Sequence, residues 1–359
     1  METTFYQKLT SLSLSGELLS DTTCEKLLTA SETELLPLLD AAYQVRKTYF
    51  QNAVQLHILN NAQNGYCPED CHYCAQASSA TTDIEAYPLK PDTEILAEAE
   101  RAYEDGAYRY CIVMSGRGPS PKRVNHLAKL IRTVKARYPI EVCLSAGLID
   151  VESAGVLKEA GLDRLNHNLN TSEAHYPKIC STHSYQDRMD TLQAAQTVGL
   201  ACCSGVIVGM GEGTDDLIKV AKELRQLEVA SLPVNFFLPI SGTQLVETPT
   251  LTPDYCLRVL CLYRFLNPKA EIRVAAGREH HFRSMEVMAL YPANSMFIEG
   301  YLNAEGSTTS RTLEMIRDAG FTVKTNADDL EQPKRRETEK RDVLLKELRV
   351  LRPRMESDA

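Results

Sequence analysis

The stretch Val54-Gln-Leu-His-Ile-Leu59, with the loop Asn64-Gly-Tyr-Cys67-Pro-Glu-Asp-Cys71-His-Tyr-Cys74-Ala-Gln76 that follows it, opens the pattern that decides the fold. It is a short apolar run that ends in turn residues, the mark of a buried strand. Seven further runs repeat it at Tyr108–Ser115, Ile140–Ala146, Arg164–Leu169, Ala201–Val208, Leu232–Pro239, Glu271–Ala276 and Ser295–Ile298. Helical segments lie between them, among them Glu94–Asp105, Lys122–Arg137, Tyr185–Val198, Asp215–Leu227 and Pro253–Phe265. Eight strands alternating with helices are the count of an α/β protein of the (β/α)8 TIM-type barrel class. An open doubly wound sheet is the alternative. In a barrel, the loop after the first strand lies at the mouth where the chemistry is done.

Outward from this core, residues 1–50 read as an N-terminal helical extension, with Leu35, Leu38, Leu39 and Ala42 at three- and four-residue spacing. The catalytic barrel is expected over 51–325. The stretch 326–359 is charge-dense, with nine basic and nine acidic residues between Asp328 and Asp358, and reads as a mobile tail. The whole chain has 359 residues, 39 Lys+Arg against 48 Asp+Glu, and 11 cysteines. The acidic surplus argues against a nucleic-acid binder, and no run approaches the length of a membrane span. The polar start lacks the pattern of a secretory signal, so a cytoplasmic location is expected. Disulfides are rare there, and so many cysteines ask for metal or catalysis instead.

Three cysteines spaced C-x3-C-x2-C in one loop can converge on one metal centre. Zinc wants four protein ligands, and His72, wedged between the cysteines, is the only fourth candidate nearby. A [4Fe–4S] cluster takes one ligand per iron, so three thiolates leave one iron open to a small molecule. Three merely packed cysteines would be a poor use of a loop. The spacing resembles the signature of the radical S-adenosylmethionine (SAM) superfamily. That resemblance implies a [4Fe–4S] cluster on Cys67, Cys71 and Cys74, whose open iron chelates SAM and whose electron releases a 5′-deoxyadenosyl radical. It also implies that Tyr73 lies against the adenine, where the bland reading is an aromatic packing on the barrel rim.

Cys111, Cys143 and Cys203 fall on the second, third and fifth strands. Strand side chains alternate faces, so each can point inward, and of Cys202 and Cys203 only one can. Spacing alone leaves an interior metal site and scattered core cysteines both open. Arg273 lies between apolar Ile272 and Val274, which puts it in the interior, where a guanidinium needs an anionic partner. On strand four, Asn166, Asn168 and Asn170 share one face, with His167 on the other as a core histidine. Buried amides require polar company, either a ligand rich in amide or ureido groups or neighbouring strands. Asn235 carries the same ambiguity. Gly209-Met-Gly-Glu212-Gly lacks the lysine of a phosphate-binding loop.

Taken in order, Cys67-Pro-Glu-Asp-Cys71-His-Tyr-Cys74, Asn166-His-Asn-Leu, Cys203-Ser-Gly-Val-Ile-Val-Gly, Pro233-Val-Asn-Phe and Arg273-Val-Ala-Ala-Gly-Arg278-Glu resemble the biotin-forming family within that superfamily. The resemblance covers about residues 50 to 323. It implies insertion of sulfur between two unactivated carbons of dethiobiotin, with a [2Fe–2S] cluster on Cys111, Cys143, Cys203 and Arg273 as sulfur donor. A protonated guanidinium has no lone pair for iron; either the cluster lowers its pKa or the contact is partly electrostatic. By motif position Asn168 and Asn170 would contact SAM or substrate, Arg188 the methionyl carboxylate, and Asn235 the ureido ring. A flavodoxin- or ferredoxin-type electron donor, the iron–sulfur assembly machinery and a homodimer are implied in the same way. Two positions depart from the family: Asn170 stands where many members have Asp, and Asn303-Ala304 where paired threonines often meet the substrate carboxylate. A hydrogenase-maturation or mutase relative would not need Cys111, Cys143, Cys203 and Arg273 together. A non-catalytic iron–sulfur or zinc protein would need a fourth ligand at the loop.

Overall fold

The computed structural model describes residues 4–245, 251–303 and 306–326. Its strands are β1 (Ala53–Gln63), β2 (Arg109–Met114), β3 (Glu141–Ser145), β4 (Arg164–Asn166), β5 (Ala201–Cys203), β6 (Val206–Val208), β7 (Ser231–Phe236), β8 (Glu271–Val274), β9 (Ser295–Phe297) and β10 (Thr322–Lys324). Neighbours pair in parallel, and β1 bonds both β2 and β9, which closes the sheet into a barrel. β5 and β6 are one stave broken at Ser204-Gly205, since both pair with β7. The barrel therefore has eight staves, and the doubly wound alternative is excluded. β10, three residues long and unheralded by any apolar run, adds beside the start of β1.

The helices are α1 (Phe5–Ser15), α2 (Asp21–Leu28), α3 (Leu35–Phe50), α4 (Asp92–Glu104), α5 (Pro121–Arg137), α6 (Val151–Glu159), α7 (Tyr185–Thr197), α8 (Thr214–Gln226), α9 (Pro253–Leu266), α10 (Arg278–Phe282) and α11 (Thr309–Asp318). Several start where the sequence provides a cap: the side chains of Ser120, Asp150, Ser184 and Thr252 each accept the amide three residues on. α5 buries Val124, Leu127, Ile131 and Val134, the three- and four-residue stripe of a helix lying on a sheet. Residues 5–50 carry α1, α2 and α3, and all three pack onto α9.

Strand limits shift from the sequence reading throughout: β1 runs on to Gln63 rather than Leu59, β7 stops at Phe236 rather than Pro239, and β8 at Val274 rather than Ala276. β4 ends at Asn166 and not at Leu169, because the Leu169 amide turns to the Ser204 hydroxyl at 3.2 Å and Asn170 takes a left-handed φ of 70°. The run Ala201–Val208 is interrupted because the backbone of residue 205 lies against β7. A Cβ at Gly205 would come within 1.9 Å of the Pro233 carbonyl oxygen, so only glycine fits. The charged tail from Asp328 onward and Ala304 lie outside the described residues.

Inside, side chains are stacked in storeys, as parallel barrels require. At the N-terminal floor, register sets His57 beside Arg109 and Arg109 beside Glu141. Two residues up, Cys111 and Cys143 are register partners. Above them the barrel opens into a cavity.

Candidate active site

β1 hands the chain at Gln63 to the cysteine loop, which is fixed by its own backbone. Gly65 N donates to Gln76 Oε1 at 3.0 Å, Cys74 N to the Cys71 carbonyl at 2.9 Å, and Ser78 N to the Glu69 carbonyl at 2.8 Å. Asp70 ties the loop to the segment before α7, accepting from Ser181 N at 2.9 Å and from Thr182 N at 3.1 Å. Burial opposes ionisation of Asp70, but these donors outweigh it and hold the carboxyl well below the usual range. His72 does not join the cysteines: its Nδ1 bonds the Lys178 carbonyl at 2.9 Å. Among the described residues, the potential ligand atoms gathered around Cys71 are those of Cys180 and His183, and His72 is not in that group.

A cavity of ≈ 300 Å³ opens inside the mouth, and Cys67, Cys71 and Cys74 all border it. That volume suits a small organic ligand. Three thiols bordering open space could, as thiolates, take a [4Fe–4S] cluster that leaves one iron free. Tyr73 and Asn170 reach the cavity together, Asn170 Nδ2 donating to the Tyr73 hydroxyl at 2.5 Å. Asn166 and Asn168 border it too, although the strand ends between them. Arg188 arrives from α7, buried, with NH1 on the Asn168 carbonyl at 2.8 Å. Asn235 faces the cavity but spends part of its amide on its neighbours, donating to the Val206 carbonyl at 3.1 Å and accepting from Ala276 N at 3.2 Å. His167, expected to face the helices, borders the cavity; burial keeps its imidazole neutral, and Nε2 has no partner among the described residues.

Asn303, at the first of the two positions that depart from paired threonines, forms a reciprocal amide pair with Asn64 at 3.0 and 3.2 Å. The glycine loop after β6 is filled by its own side chain: Gly209 N and Met210 N both donate to the Glu212 carboxylate, at 2.6 and 2.7 Å. That leaves no cradle for phosphate.

One storey down, Cys111, Cys143 and Cys203 form a buried cluster with Ala275 and Phe297. The Cys111 thiol is held below its ordinary value chiefly by its hydrogen bond with Cys143, while the same contact pushes Cys143 up to about 12. Cys203 is likewise pushed well above its ordinary value, first by its contact with Cys143 and then by burial. Arg273 NH1 points at Cys203 Sγ from 3.8 Å, Asn166 Nδ2 at the same sulfur from 3.2 Å, and the guanidinium carbon lies 5.0 Å from the centre of the Phe297 ring. Arg273 Nε is buried and has no hydrogen-bond partner among the described residues. Three clustered soft donors, one of them facing a guanidinium whose Nε is unpartnered, fit a small iron–sulfur centre.

The sequence reading missed the floor beneath this storey. Glu271 Oε1 accepts from Arg273 NH2 at 2.9 Å and from the Ser295 hydroxyl at 2.9 Å, and lies 3.1 Å from His57 Nε2. Its Oε2 accepts from Arg109 NH2 at 3.0 Å. Arg109 is shared with Glu141 at 2.7 Å. Arg273 thus has its anionic partner in the protein itself. Burial opposes its charge, but Cys203 and Glu271 outweigh that and raise its pKa. Strand alternation carried the signal, since Glu271 and Arg273 are two apart and face the same way. Glu69 and His183, which also border the cavity, were missed because loops have no such period.

Comparison with known proteins now places the chain. Residues 64–224 match the radical SAM superfamily, and residues 233–322 match the biotin and thiamin synthesis associated domain. The barrel with its three-cysteine mouth is therefore that of a radical SAM enzyme, a class that works with a [4Fe–4S] cluster and SAM. A biotin synthase of Magnetococcus marinus is 55% identical over 310 residues, covering 86% of this chain and 97% of that one. A biotin synthase of Geobacillus thermodenitrificans is 43% identical over 310 residues, covering 86% and 93%. The chain belongs to the biotin synthase family. Among solved structures, methylornithine synthase superposes with a TM-score of 0.76 at 21% identity, covering 89% of this chain and 98% of that one. The [FeFe]-hydrogenase maturase HydG of Carboxydothermus hydrogenoformans gives 0.74 at 17%, covering 89% and 79%. These two share the fold. No helix among the described residues is long and apolar enough to cross a membrane.

Proposed function

We propose that this enzyme converts dethiobiotin to biotin with two iron–sulfur centres, one at the mouth and one inside the barrel. Cys67, Cys71 and Cys74 would hold the [4Fe–4S] cluster, and Cys111, Cys143, Cys203 and Arg273 a [2Fe–2S] cluster. When bound, the first supplies a 5′-deoxyadenosyl radical from SAM and the second supplies sulfur. The observation that carries this reading is the buried group of three thiols with the orphaned Arg273 Nε beneath a cavity lined by three more cysteines. The chain's own residues do the remaining work. Tyr73, Asn168 and Asn170 bind the nucleoside end of SAM, Arg188 its carboxylate, and Asn235 presents the free part of its amide to the ureido ring. Glu271 keeps Arg273 charged and in place, which favours the electrostatic reading of its contact with the cluster. By family resemblance, the electron donor is of flavodoxin or ferredoxin type, the clusters come from the iron–sulfur assembly machinery, and the chain is a cytoplasmic homodimer.

Anaerobic iron and sulfide counting with absorbance spectra tests the pair of centres. Two distinct centres are expected in the parent enzyme. Cys67→Ala, Cys71→Ala and Cys74→Ala are each expected to lose SAM cleavage, because two thiolates do not hold a cubic cluster with one open iron. Deoxyadenosine formation persisting in any of the three would sink the assignment of the mouth.

A further inference from the structure

Arg188 is buried, and among the described residues no carboxylate meets it. Its Nε donates to the Tyr176 hydroxyl, NH1 to the Asn168 carbonyl at 2.8 Å, and NH2 to His183 Nε2 at 2.9 Å. A guanidinium only donates, so Nε2 of His183 is the acceptor and carries no proton. The proton of the neutral ring is then on Nδ1, which donates to Glu69 Oε2 at 2.5 Å. Glu69 stands between Cys67 and Cys71 and also accepts from Thr182 Oγ1 at 2.7 Å and Arg117 NH1 at 3.2 Å. Carboxylate, imidazole and guanidinium thus run in one line from the cysteine loop to the arginine at the cavity.

The same tautomer disposes of a rival reading. Cys71, Cys180 and His183 bring their ligand atoms within 4.8 Å of one another, as a mononuclear metal site would. The imidazole has no lone pair left for a metal, since Nδ1 is committed to Glu69 and Nε2 to Arg188.

We propose that His183 is a positioning residue for SAM: it holds the Arg188 guanidinium toward the cavity and couples that orientation to the cysteine loop through Glu69. This rests on reading Arg188 as the partner of the methionyl carboxylate. Without an acceptor at Nε2, one edge of a buried guanidinium is left unsatisfied and free to turn toward other oxygens. Carboxylate recognition by arginine depends on a fixed planar fork, so such a rotation weakens binding without removing the charge.

Two substitutions divide the line. Asn at 183 offers its amide near the Nδ1 position, within reach of Glu69 but not of Arg188. Gln reaches the Nε2 position with a carbonyl oxygen that can accept from Arg188. Full-length protein with its clusters reconstituted anaerobically would be used, with Arg188→Gln as reference. The readouts are the change that SAM makes in the electron paramagnetic resonance signal of the reduced cluster, KM for SAM against kcat, and iron and sulfide content. His183→Asn is expected to weaken SAM binding about tenfold, the loss of one charge-assisted hydrogen bond, with metal content and saturated kcat near the parent values. His183→Gln is expected to restore most of the affinity. If His183→Asn binds SAM like the parent while Arg188→Gln does not, the positioning role is wrong and the reading of Arg188 stands. If Arg188→Gln itself binds SAM normally, that reading falls first. Equal loss of iron and sulfide in both His183 variants would make the histidine a brace of the cysteine loop only, and would overturn the proposal.

Discussion

Cys202 and Cys203 are chain neighbours in opposite surroundings. Cys202 Sγ donates to the Leu192 carbonyl of α7 at 3.5 Å and belongs to the apolar layer between barrel and helices. Cys203 looks inward to Asn166 and Arg273. Cys203→Ser is therefore expected to lose the interior centre and biotin formation, while Cys202→Ala keeps both and costs about 1 kcal/mol of stability, the usual size for a single core change. Iron and sulfide counts with urea unfolding separate the two. Equal loss of the centre in both folded variants would mean that the inward residue has been misassigned. Strand alternation makes this pair legible in the sequence itself. The same alternation extends to Glu271 and Arg273, two residues apart on β8. Arg109 and Glu141 lie beyond it, because their meeting with Glu271 depends on which strands become neighbours around the barrel and in what register. His183 is further out of reach: its partners Glu69 and Arg188 come from a loop and a helix separated by over a hundred residues, and no local period links them.

At the scale of elements, the eight runs read from the sequence are all present, and their ends are set by contacts the runs do not contain. β4 stops where Leu169 N finds the Ser204 hydroxyl, and this Ser204-Gly205 break in the next stave also lets Asn170 N reach the Gly205 carbonyl at 3.0 Å. One irregularity thus shapes two staves and turns Asn170 to the Tyr73 hydroxyl. Gly205 is its hinge point. A methyl group there would meet the Pro233 carbonyl oxygen at 1.9 Å, backbone against backbone, with no side chain able to give way. Gly205→Ala is expected to cost about 3 kcal/mol, the upper end for an overpacked interior, and to lower SAM affinity through Asn170. Thermal unfolding and SAM titration check the two parts. A variant as stable as the parent would show that the break is tolerant and that Asn170 is placed by something else.

For the molecule as a whole, the open point is whether the first fifty residues are an appendage, as a separate helical extension implies, or a wall of the barrel. α9 decides it. Every residue from Cys256 to Leu266 is buried, including Arg258 and Arg264, and a helix buried all round needs cover on its outer side as well as beneath. α1, α2 and α3 supply that cover. Ser13 donates to the Phe265 carbonyl at 2.8 Å, and Arg258 bonds Leu27 and Thr33. Arg46 of α3 is fully buried and donates to the carbonyls of Ala293, Gln51 and Ala53, which pins the entry of β1 beside the turn before β9, where the barrel closes. Removing residues 1–50 would bare the apolar outer face of α9 and free the closing seam. The shortened chain is expected to collect in the insoluble fraction, or to bind a hydrophobic dye and unfold without a cooperative transition. Arg46→Met is the gentler test. It keeps the volume but takes the donor from three carbonyls, of which that of Ala293 is buried, at an expected cost of about 2 kcal/mol, read as a lowered urea midpoint with unchanged slope. A truncated chain that stays soluble and unfolds at the parent midpoint, together with a neutral Arg46→Met, would return the N-terminal helices to the status of an extension. The closure of the barrel would then have to rest on the β1–β9 pairing alone.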